Sequence, residues 1–489
     1  MGSTILLIIA IYFALLIGIS YIVGRKNTDN NAFFLGNKKS PWFVVAFGMI
    51  GSSISGVTFV SVPGMVRGLD MTYMQMVFGF LFGYITIAYV LLPLYYKLNL
   101  TTIYGYLEKR FGKVSYKTGS SFFILSKTIG AAARLYLVTL ILHKLVFEQW
   151  NIPFIVVASG IILLIWIYTF RSGIKTIIWT DTLQTACLIA ALILIIWQVV
   201  DRLDFNFSET VQAVTQSEHS RIFVFDDWVS KQNFFKQFLS GVLIAIVMNG
   251  LDQDVMQKSL SCKNLKDAQK NMVSFGILYI PINYLFLALG ILLLIFAAQF
   301  NIVLPENADE ILPMLAANHL GFAVLTFFCI GIIAAAFSSA DSALTALTTT
   351  VCVDLLDIKK EDALKAVKIR RRIHILISVL FLFVILIINA VNEDSILSTI
   401  YKVASYTYGP LLGLFCFGLF SKINIKDKFV PIICILAPIL CFCLEVTLKQ
   451  TLDYSVGNEI LLCNGLITVL GLLLISNKKK NTFQTNPRR

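Results

Sequence analysis

Long apolar runs follow one another along almost the whole chain, separated by short polar segments. A helix that crosses a membrane needs about 20 consecutive, mostly apolar residues, and the chain has about thirteen runs near or above that length. The pattern therefore predicts an all-α polytopic membrane protein with about thirteen transmembrane helices. The runs cover residues 4–23, 41–66, 72–96, 117–146, 152–170, 174–200, 233–256, 271–298, 321–356, 368–391, 395–420, 429–449 and 459–476.

The composition agrees with a membrane protein and excludes several other classes. Of the 489 residues, 57% are hydrophobic and 14% are charged, whereas soluble domains carry about 25% charged residues. A soluble globular enzyme, a disordered chain and a secreted disulfide scaffold are therefore excluded. The net charge of +12 could indicate nucleic-acid binding. The basic residues are scattered over separate short loops, however, so no nucleic-acid partner is predicted.

The basic residues instead indicate how the chain is oriented in the membrane. Arg25 and Lys26 directly follow the first run, which predicts a cytoplasmic position for that end and an outside N-terminus. The first run is too long to be a cleaved signal peptide, and it lacks a basic leader and a small-residue cleavage site. With alternating crossings, about thirty of the 40 Lys and Arg lie on the cytoplasmic side, as the positive-inside rule requires. The C-terminus is then cytoplasmic as well.

No loop is large enough to hold a soluble catalytic domain. The two longest, residues 201–232 and about 299–320, are both predicted to lie outside the cell. The chain also shows no nucleophile–base pair, zinc-ligand spacing or glycine-rich phosphate loop, so it is not predicted to be an enzyme. Any function must take place within the helix bundle or at its mouths.

Two of the apolar runs are interrupted by residues that a membrane helix normally avoids. The second run contains G-M-I-G-S-S-I-S-G, and the seventh contains V-M-N-G-L-D-Q-D. Irregular backbone at membrane depth is tolerated where it lines a polar cavity or is packed in protein. Interrupted helices at matching positions of two repeats mark the binding site of many transporters. Alternatively, the small residues only allow the helices to pack closely.

The interrupted runs each begin a block of five helices, which sets the predicted division of the chain. Because five is odd, the second block enters the membrane from the opposite side, and the two blocks form an inverted repeat. The predicted parts are an extra N-terminal helix with a cytoplasmic loop (1–40), the first repeat (41–200), an extracytoplasmic loop (201–232), the second repeat (233–420), and two extra helices with a basic tail (421–489).

The ninth run carries the clearest candidate cation ligands, in the segment G-I-I-A-A-A-F-S-S-A-D-S. Helical spacing places Ala335, Ser338, Ser339 and Ser342 on one stripe, with Asp341 beside it. Hydroxyl and carbonyl oxygens are hard ligands that suit an alkali cation, and the carboxylate adds a balancing charge. The serines could instead bond back to their own helix, as is common in membranes.

Two further charged residues lie within apolar runs. Asp181, in W-T-D-T-L-Q, is either a cation ligand or a helix-start residue near the interface. Arg134, in G-A-A-A-R-L-Y, either pairs with Asp252 or Asp254 or faces the cavity and holds an anionic group of a solute. Lys127 lies nearer the end of the same helix and is expected to reach the membrane surface.

Taken together and in order, several motifs resemble those of the sodium:solute symporter family. The resemblance runs from about residue 4 to 476. It implies a five-plus-five inverted-repeat (LeuT-like) core with extra helices before and after it. The motifs are S-I-S-G-V-T-F-V-S-V-P-G, T-T-I-Y-G-Y-L-E-K-R-F-G, W-T-D-T-L-Q, G-L-D-Q-D-V-M-Q-K-S-L, A-A-A-F-S-S-A-D-S and Y-G-P-L-L-G-L-F-C-F-G-L-F.

The resemblance implies one shared sodium site and a possible second one. The residues that match the first site are Gly51, Ile54, Ala335, Ser338 and Ser339. Those that match the second are Asp181, Ser338, Asp341 and Ser342. Asp341 departs from the serine that two-sodium members show, so the second site is expected to be more acidic or differently occupied.

The resemblance also bears on the solute. Arg134 falls at or near the position where sialic acid symporters place a carboxylate-binding arginine. Thr58 and Ala245 stand where sugar symporters have amides, and Gln75 stands where they have an acid, which argues against a glucose- or galactose-type substrate. The predicted solute-binding residues are Ser53, Ser55, Thr58, Gln75, Arg134, Asp252 and Gln253.

The predicted function is sodium-coupled import of a small polar organic solute across the cytoplasmic membrane by alternating access. If Arg134 binds the solute, the solute is an anion, such as a sialic acid or another carboxylate. The expected partners are sodium ions, the solute and the lipid bilayer, with a monomeric transport unit. Two alternatives stay open: a proton-coupled transporter of the same fold that uses Asp181, Asp252 and Asp341 as relays, and a membrane solute sensor.

Overall fold

The structure is a computed structural model that describes residues 2–24, 30–170, 173–391, 396–452, 457 and 459–477. The basic residues Arg25, Lys26, Arg171 and Lys478–Lys480, which contribute to the predicted orientation, lie outside the described residues. The positions of both termini relative to the membrane stay predictions.

Helices make up nearly all of the described chain. The first half contains α1 (Gly2–Gly24), α2 (Asn30–Leu35), α3 (Trp42–Ser53), α4 (Gly56–Leu69), α5 (Tyr73–Thr86), α6 (Leu92–Lys97), α7 (Gly105–Arg110), α8 (Lys113–Leu142), α9 (Phe154–Thr169), α10 (Ile174–Leu203) and α11 (Phe207–Thr215). The second half contains α12 (Phe234–Ala245), α13 (Gln253–Leu260), α14 (Leu265–Gln299), α15 (Ile311–Asn318), α16 (Phe322–Thr350), α17 (Ala363–Val391), α18 (Ile396–Phe420), α19 (Val430–Leu452) and α20 (Glu459–Leu474). Two short strands, β1 (Asn424–Ile425) and β2 (Ser476–Asn477), pair antiparallel after α18 and α20.

Many of these helices are long and apolar enough to cross a membrane. In the described ranges, nine helical segments meet that condition singly, and two bent helix pairs bring the number to eleven. The two shorter apolar helices α9 and α20 occupy the places of the other two predicted crossings. The prediction of an all-α polytopic membrane protein is confirmed, while the number of crossings stays a prediction.

The first bent pair is α3 and α4, whose axes differ by 64°. Ile54 and Ser55 between them have extended backbone, with ψ angles of 90° and 165°. The Ser55 hydroxyl accepts a hydrogen bond from the amide of Thr58 at 3.3 Å and so begins the new helix. The Ser55 hydroxyl therefore supplies an acceptor for one amide of the first turn of α4.

The second bent pair is α12, extended by a π-helical turn (Ile246–Gly250), and α13, with an angle of 68° between them. Asp252 lies in extended backbone, and its carboxylate accepts a hydrogen bond from the amide of Asp254 at 2.8 Å. In both pairs a polar side chain caps the second helix, and both bends lie where the sequence pattern predicts an interruption.

Helix α16 lies at the centre of the bundle, because every residue from Gly331 to Thr350 is buried. It contacts α3, α4, α8 and α10 of the first half and α13 and α17 of the second half. The serines and the aspartate of α16 are therefore enclosed by protein and do not face lipid. This position makes α16 the element against which both broken segments pack.

Candidate functional site

The first break lies beside the serine-rich part of α16. A Cβ built on Gly56 would lie 3.5 Å from the carbonyl oxygen of Ile332, so the start of α4 touches α16 one turn before Ala335. The amide of Gly51 donates to the Thr185 hydroxyl at 3.0 Å, which fixes α3 against α10. Carbonyl groups at the end of α3 have no continuing helix to bond, and they are therefore free to bind a cation.

The hydroxyls on α16 complete the oxygen ligands available at this break. Ser338 and Ser339 are buried in the helix face one turn beyond Ala335. The Ser339 hydroxyl donates to the carbonyl of Ala336 at 2.9 Å, which leaves its oxygen lone pairs available. The residues predicted for the first sodium therefore lie on the two elements that meet at the break, and their oxygens suit an alkali cation.

Asp181 forms a buried ion pair that the sequence did not indicate. Its Oδ2 lies 2.7 Å from the Nζ of Lys258, and its Oδ1 accepts a hydrogen bond from the Ser338 hydroxyl at 2.6 Å. Asp181 and Lys258 are each 1% exposed. The alternative of a helix-start residue near the interface does not describe Asp181, because it lies eight positions into the sequence of α10, between α13 and α16.

Asp341 lies close to this pair and has hydroxyl partners of its own. Its carboxylate accepts hydrogen bonds from Tyr168 at 2.9 Å and from Ser342 at 3.1 Å. It also interacts electrostatically with Asp181 and Lys258. The residues predicted for a second sodium are therefore brought together around a lysine.

A separate cavity of about 820 Å³ lies at the two breaks. It is lined by serine, threonine and aromatic residues and by one arginine that projects from α8. The predicted residues Ser53, Ser55, Thr58 and Arg134 all line it. The other lining residues are Ser52, Tyr73, Phe80, Tyr84, Lys127, Ile244, Met248, Asn249, Asp254, Val255 and Tyr279.

The carboxylates next to this cavity are paired with Lys127 and not with Arg134. Lys127 lies 3.1 Å from Asp252 and 2.7 Å from Asp254. Tyr408 donates a further hydrogen bond to Asp252 at 2.6 Å. Among the described residues, Arg134 has no carboxylate partner within ion-pair distance. The expectation that Lys127 reaches the membrane surface is wrong, because it is buried between the two carboxylates with which Arg134 could otherwise pair.

Two residues predicted to bind solute lie away from the cavity. The amide of Gln75 bonds to the carbonyls of Thr72 and Gln232 and to the amide of Val224. It thereby holds segment 201–232 against α5. Gln253 is likewise fully buried.

Gln253 accepts a hydrogen bond from the amide of Ile103 at 2.9 Å and donates to the carbonyl of Thr101 at 3.3 Å. Both glutamines are therefore engaged with loop backbone. Asp252 lines a smaller cavity of about 370 Å³ beside the main one, together with Lys127 and Arg134. Asp252 is adjacent to the main cavity, but its carboxylate is already bonded to the ammonium of Lys127 and the hydroxyl of Tyr408.

A second cavity, here called the vestibule, lies beside the main cavity on the side of segment 201–232. The vestibule has a volume of about 660 Å³ and shares Thr58, Tyr73 and Ile244 with the main cavity. Its rim includes Gln232 and Gln237, at the end of the segment predicted to lie outside. The lining of the vestibule comes from α4, α5 and α12 and from Gln232.

Sequence reasoning missed Lys258 and the tyrosines of the cavity. Tyr73, Tyr84 and Tyr279 lie in apolar runs, where a tyrosine cannot be distinguished from an ordinary core aromatic. Lys258 belongs to a motif that the resemblance uses, but a lysine near the end of an apolar run ordinarily reaches the surface. Asn249, at the second break, carried a usable signal because it lies among residues that a membrane helix avoids.

The fold and the site define a secondary transporter, with a polar cavity and candidate cation ligands at two broken membrane helices. The sequence profile of the sodium:solute symporter family matches residues 33–430. The chain belongs to this family, and its function is sodium-coupled symport.

The chain is also similar to individual proteins of known type. It is 25% identical to the sodium/sialic acid symporter NanT of Aliivibrio fischeri over 442 residues, which cover 88% of this chain and 85% of that one. It is 25% identical to the sodium/sialic acid symporter SiaT of Proteus mirabilis, with 83% and 82% covered. A solved structure of a sodium-coupled sialic acid symporter in a substrate-bound, outward-open state has a TM-score of 0.83 and 20% identity, and covers 98% of this chain and 99% of that one. This likeness shows the fold.

Proposed function

We propose that the chain imports a small organic anion with a carboxylate group, together with sodium, across the cytoplasmic membrane. The observation that carries the proposal is the guanidinium of Arg134, which lines the main cavity while Lys127 satisfies both neighbouring carboxylates. A guanidinium binds a carboxylate through two parallel hydrogen bonds. The relatives named for sialic acid support a sialic acid as the first solute to test, and other carboxylates follow from the same chemistry.

Sodium binds at the first break in this mechanism. Carbonyl oxygens near Gly51 and Ile54 would supply one side of the site, and Ala335, Ser338 and Ser339 the other. Binding there stabilises the break, because it satisfies carbonyl groups that the interrupted helix leaves without partners. The same break carries Ser53, Ser55 and Thr58 into the solute cavity. Sodium therefore orders the surface on which the solute binds.

The solute lies between the two broken segments, with its carboxylate on Arg134. Hydroxyls of Ser53, Ser55 and Thr58 are placed to bond polar groups of the solute. The aromatic rings of Tyr73 and Phe80 cover its less polar parts. Gln75 and Gln253 contribute indirectly, because they hold the loops that border the site.

Alternating access moves the two five-helix blocks, 41–200 and 233–420, relative to each other around this site. Four apolar helical segments follow the first bent pair (73–97, 113–150, 154–169 and 174–203), and α14, α16, α17 and α18 follow the second, which supports the proposed repeat. The vestibule on the side of segment 201–232 supports an outward-facing arrangement. We take the transport unit to be a single chain, because the cavity and both breaks are formed within it.

The sodium gradient can drive substantial accumulation. A membrane potential of 100 mV contributes about 2.3 kcal/mol per charge, and a tenfold sodium gradient adds about 1.4 kcal/mol. One sodium therefore supports roughly 500-fold accumulation of a neutral solute, and a second would square that ratio. A monovalent anion cancels one charge, so its accumulation is driven by the chemical gradient alone when one sodium is used.

The test combines a solute screen with a variant of the cavity arginine. A thermal-shift screen of sialic acids, monocarboxylates, sugars and amino acids, with sodium or potassium, identifies the stabilising solute. Uptake of that solute into proteoliposomes is then measured for the wild type, Arg134→Ala and the control Arg371→Ala, whose side chain is exposed on α17. Hydrogen bonds to charged groups contribute about 1.5–3 kcal/mol, so we expect Arg134→Ala to raise the half-saturation constant about 10- to 150-fold.

The outcomes separate the alternatives. An unchanged half-saturation constant in Arg134→Ala would return this arginine to a structural role. Uptake that follows a pH gradient and ignores sodium would contradict sodium coupling and favour the proton-coupled alternative. Stabilisation by neutral sugars alone would contradict the anionic solute while leaving sodium coupling intact.

A further inference from the structure

The segment that leads into α12 carries apolar side chains at the tip of a turn. The carboxylate of Asp227 forms the turn, because its Oδ1 accepts hydrogen bonds from the amides of Val229 and Ser230 at 2.9 Å each. Turns that face water are normally built from small polar residues and glycine or proline. Here Trp228 is 65% exposed and Val229 is 88% exposed. The tip therefore leaves a large apolar surface without protein cover.

The chain just before this turn exposes two phenylalanines on one side. The amide of Val224 donates to the side chain of Gln75 at 3.0 Å, and its carbonyl accepts from the amide of Phe234 at 2.8 Å. Val224 is thereby buried, while Phe223 and Phe225 on either side of it are 46% and 51% exposed. Their rings stack with centroids 5.8 Å apart, so they lie on the same side. We call the exposed residues the aromatic tab: Phe223, Phe225, Trp228 and Val229.

Stacked rings join the aromatic tab to two membrane-spanning helices. Phe223 stacks on Phe78 of α5 with centroids 6.0 Å apart, and the planes differ by 11°. Trp228 stacks on Phe235 of α12 with centroids 5.4 Å apart, and the planes differ by 6°. The tab is therefore fixed on the outer surface of α5 and α12.

The same surface of these helices carries apolar side chains beyond the tab. Phe82 of α5 is 53% exposed, and Leu239 of α12 is 56% exposed. Both helices belong to segments that are long and apolar enough to cross a membrane, so exposed apolar side chains on them face lipid. The tab is continuous with this lipid-facing surface.

The two carboxylates of this stretch limit how deep it can lie. Asp226 pairs with Arg221, and Asp227 accepts bonds from the turn amides. The side chain of Asp226 is nevertheless 71% exposed. A charged group with this exposure is tolerated among polar headgroups and is costly in hydrocarbon. The tab therefore fits the boundary between headgroups and acyl chains, where aromatic side chains are enriched.

We propose that the aromatic tab binds the lipid bilayer and inserts its four side chains at this boundary, in the leaflet on the side of segment 201–232. The last part of that segment is then a membrane anchor and not an aqueous loop. Gln232 follows the tab and lines the vestibule, so the lipid contact fixes one wall of the vestibule. The inference goes beyond the proposed function, because it involves neither the solute nor sodium.

The test compares two positions that the structure leaves equally exposed. Val229 is 88% exposed and lies in the tab, whereas Glu218 lies outside it with a side chain that is 88% exposed. Val229→Cys and Glu218→Cys are made in a Cys443→Ser background, because Cys443 is exposed. The full-length proteins are labelled with a nitroxide and reconstituted into phosphatidylcholine vesicles. Power saturation then measures collisions of each label with oxygen, which concentrates in lipid, and with a nickel chelate, which stays in water.

The ratio of oxygen to nickel collisions decides the outcome. We expect a severalfold higher ratio for the label at position 229 than for the label at position 218. It should approach the ratio of Leu239→Cys, the lipid-facing reference on α12. Equal ratios at positions 229 and 218 would overturn the inference. Low collision rates with both reagents at position 229 would show that protein covers the tab, and dipolar broadening between labels would identify a second copy of the chain. Either result would also overturn it.

A measurement on the unlabelled protein covers the case in which the label disturbs the tab. Brominated lipids quench the fluorescence of tryptophan side chains that they contact. The emission of Trp228→Phe is subtracted from that of the wild type in plain and in brominated phosphatidylcholine vesicles. We expect the difference to be strongly quenched by the brominated lipid, and an unquenched difference would overturn the inference. Loss of sodium-dependent uptake in the same vesicles would contradict the proposed function without affecting this result.

Discussion

Both broken segments have a short extended stretch between two helices, but the first has uncharged side chains and the second has charged ones. The first, from Gly48 to Gly64, contains no ionisable side chain, and its polar groups are hydroxyls and backbone carbonyls. The second, from Val247 to Leu260, contains Asp252, Asp254 and Lys258, all of which form buried ion pairs. One break therefore offers oxygens to mobile ligands, whereas the other is held by fixed charges.

The difference shows how one fold can use one broken segment to bind a cation and the other to hold its helices together. Uncharged oxygens bind a cation reversibly, because they cost little to desolvate and gain no permanent partner. Paired charges in a buried site are costly to separate, because each one is left uncompensated. We therefore expect the first break to respond to sodium and the second to control how firmly the blocks are held together.

The largest effect is expected when the buried ion pairs of Lys127 with Asp252 and Asp254 at the second break are removed. Lys127→Met leaves Asp252 and Asp254 buried without their ammonium. Loss of one partner from a buried ion pair costs about 3–5 kcal/mol, so we expect a large fall in the unfolding temperature and loss of transport. Thermal unfolding of the purified protein measures the change.

The matched control for this variant is Lys117→Met, an exposed lysine on the same helix. It should unfold like the wild type, and Lys127→Arg should recover part of the lost stability. If Lys127→Met and Lys117→Met unfold at the same temperature, the ion pairs of Lys127 with Asp252 and Asp254 do not stabilise the second break.

A smaller effect is expected from the first segment when one hydroxyl is removed. Ser339→Ala deletes an oxygen that we propose binds sodium, without leaving a buried charge. A bond from a neutral group to an ion contributes about 1.5–3 kcal/mol, so the sodium concentration for half-maximal uptake should rise about 10- to 150-fold. Stability without sodium should change little.

Ser378→Ala on α17 is the matched control, because its hydroxyl also bonds back to its own helix, at the carbonyl of His374. Ser339 bonds back to Ala336 in the same way. An equal sodium response in both variants would mean that Ser339 only bonds to its own helix.

Much of the fold could be predicted from the sequence, because each apolar run and each interruption is a local signal. The breaks at Ile54 and Asp252 were predicted from glycine, serine and aspartate within apolar runs, and the bends lie there. Asp181 and Asp341 were likewise identifiable, since carboxylates at membrane depth are rare, and the serines of α16 were identified by their spacing around Asp341.

The pairing of charges could not be predicted, because it depends on which helices meet. Lys127 and Asp252 are 125 positions apart, and nothing local distinguishes Lys127 from Arg134 as the partner. Arg134 lies deeper in the apolar run than Lys127, which favours Arg134 as the partner, whereas Lys127 forms the ion pairs. Gln75 shows the same limit, because its contacts with segment 201–232 follow from loop placement and not from any pattern in α5.

The smallest expected effect concerns the outer end of the first segment and depends on pH. Asp309, in the loop before α15, lies against Ser61 of α4, and burial raises the pKa of its carboxyl above the usual range, while the Ser61 hydroxyl partly offsets this. The adjacent Glu310 raises the pKa further. The folded protein therefore favours the neutral carboxyl at this contact. Its stabilising contribution is complete below the ordinary Asp pKa of about 3.9 and is lost as the pH rises through the raised value.

Asp309→Asn replaces the carboxyl with a neutral amide. The variant therefore shows whether the contact depends on protonation of Asp309. We expect the variant to unfold at a slightly higher temperature than the wild type at pH 7, and the difference to shrink as the pH is lowered toward 4. Glu306→Gln, exposed in the same loop, should show no such trend. A difference between Asp309→Asn and the wild type that stays constant with pH would mean that the outer end of the first segment has no titratable contact.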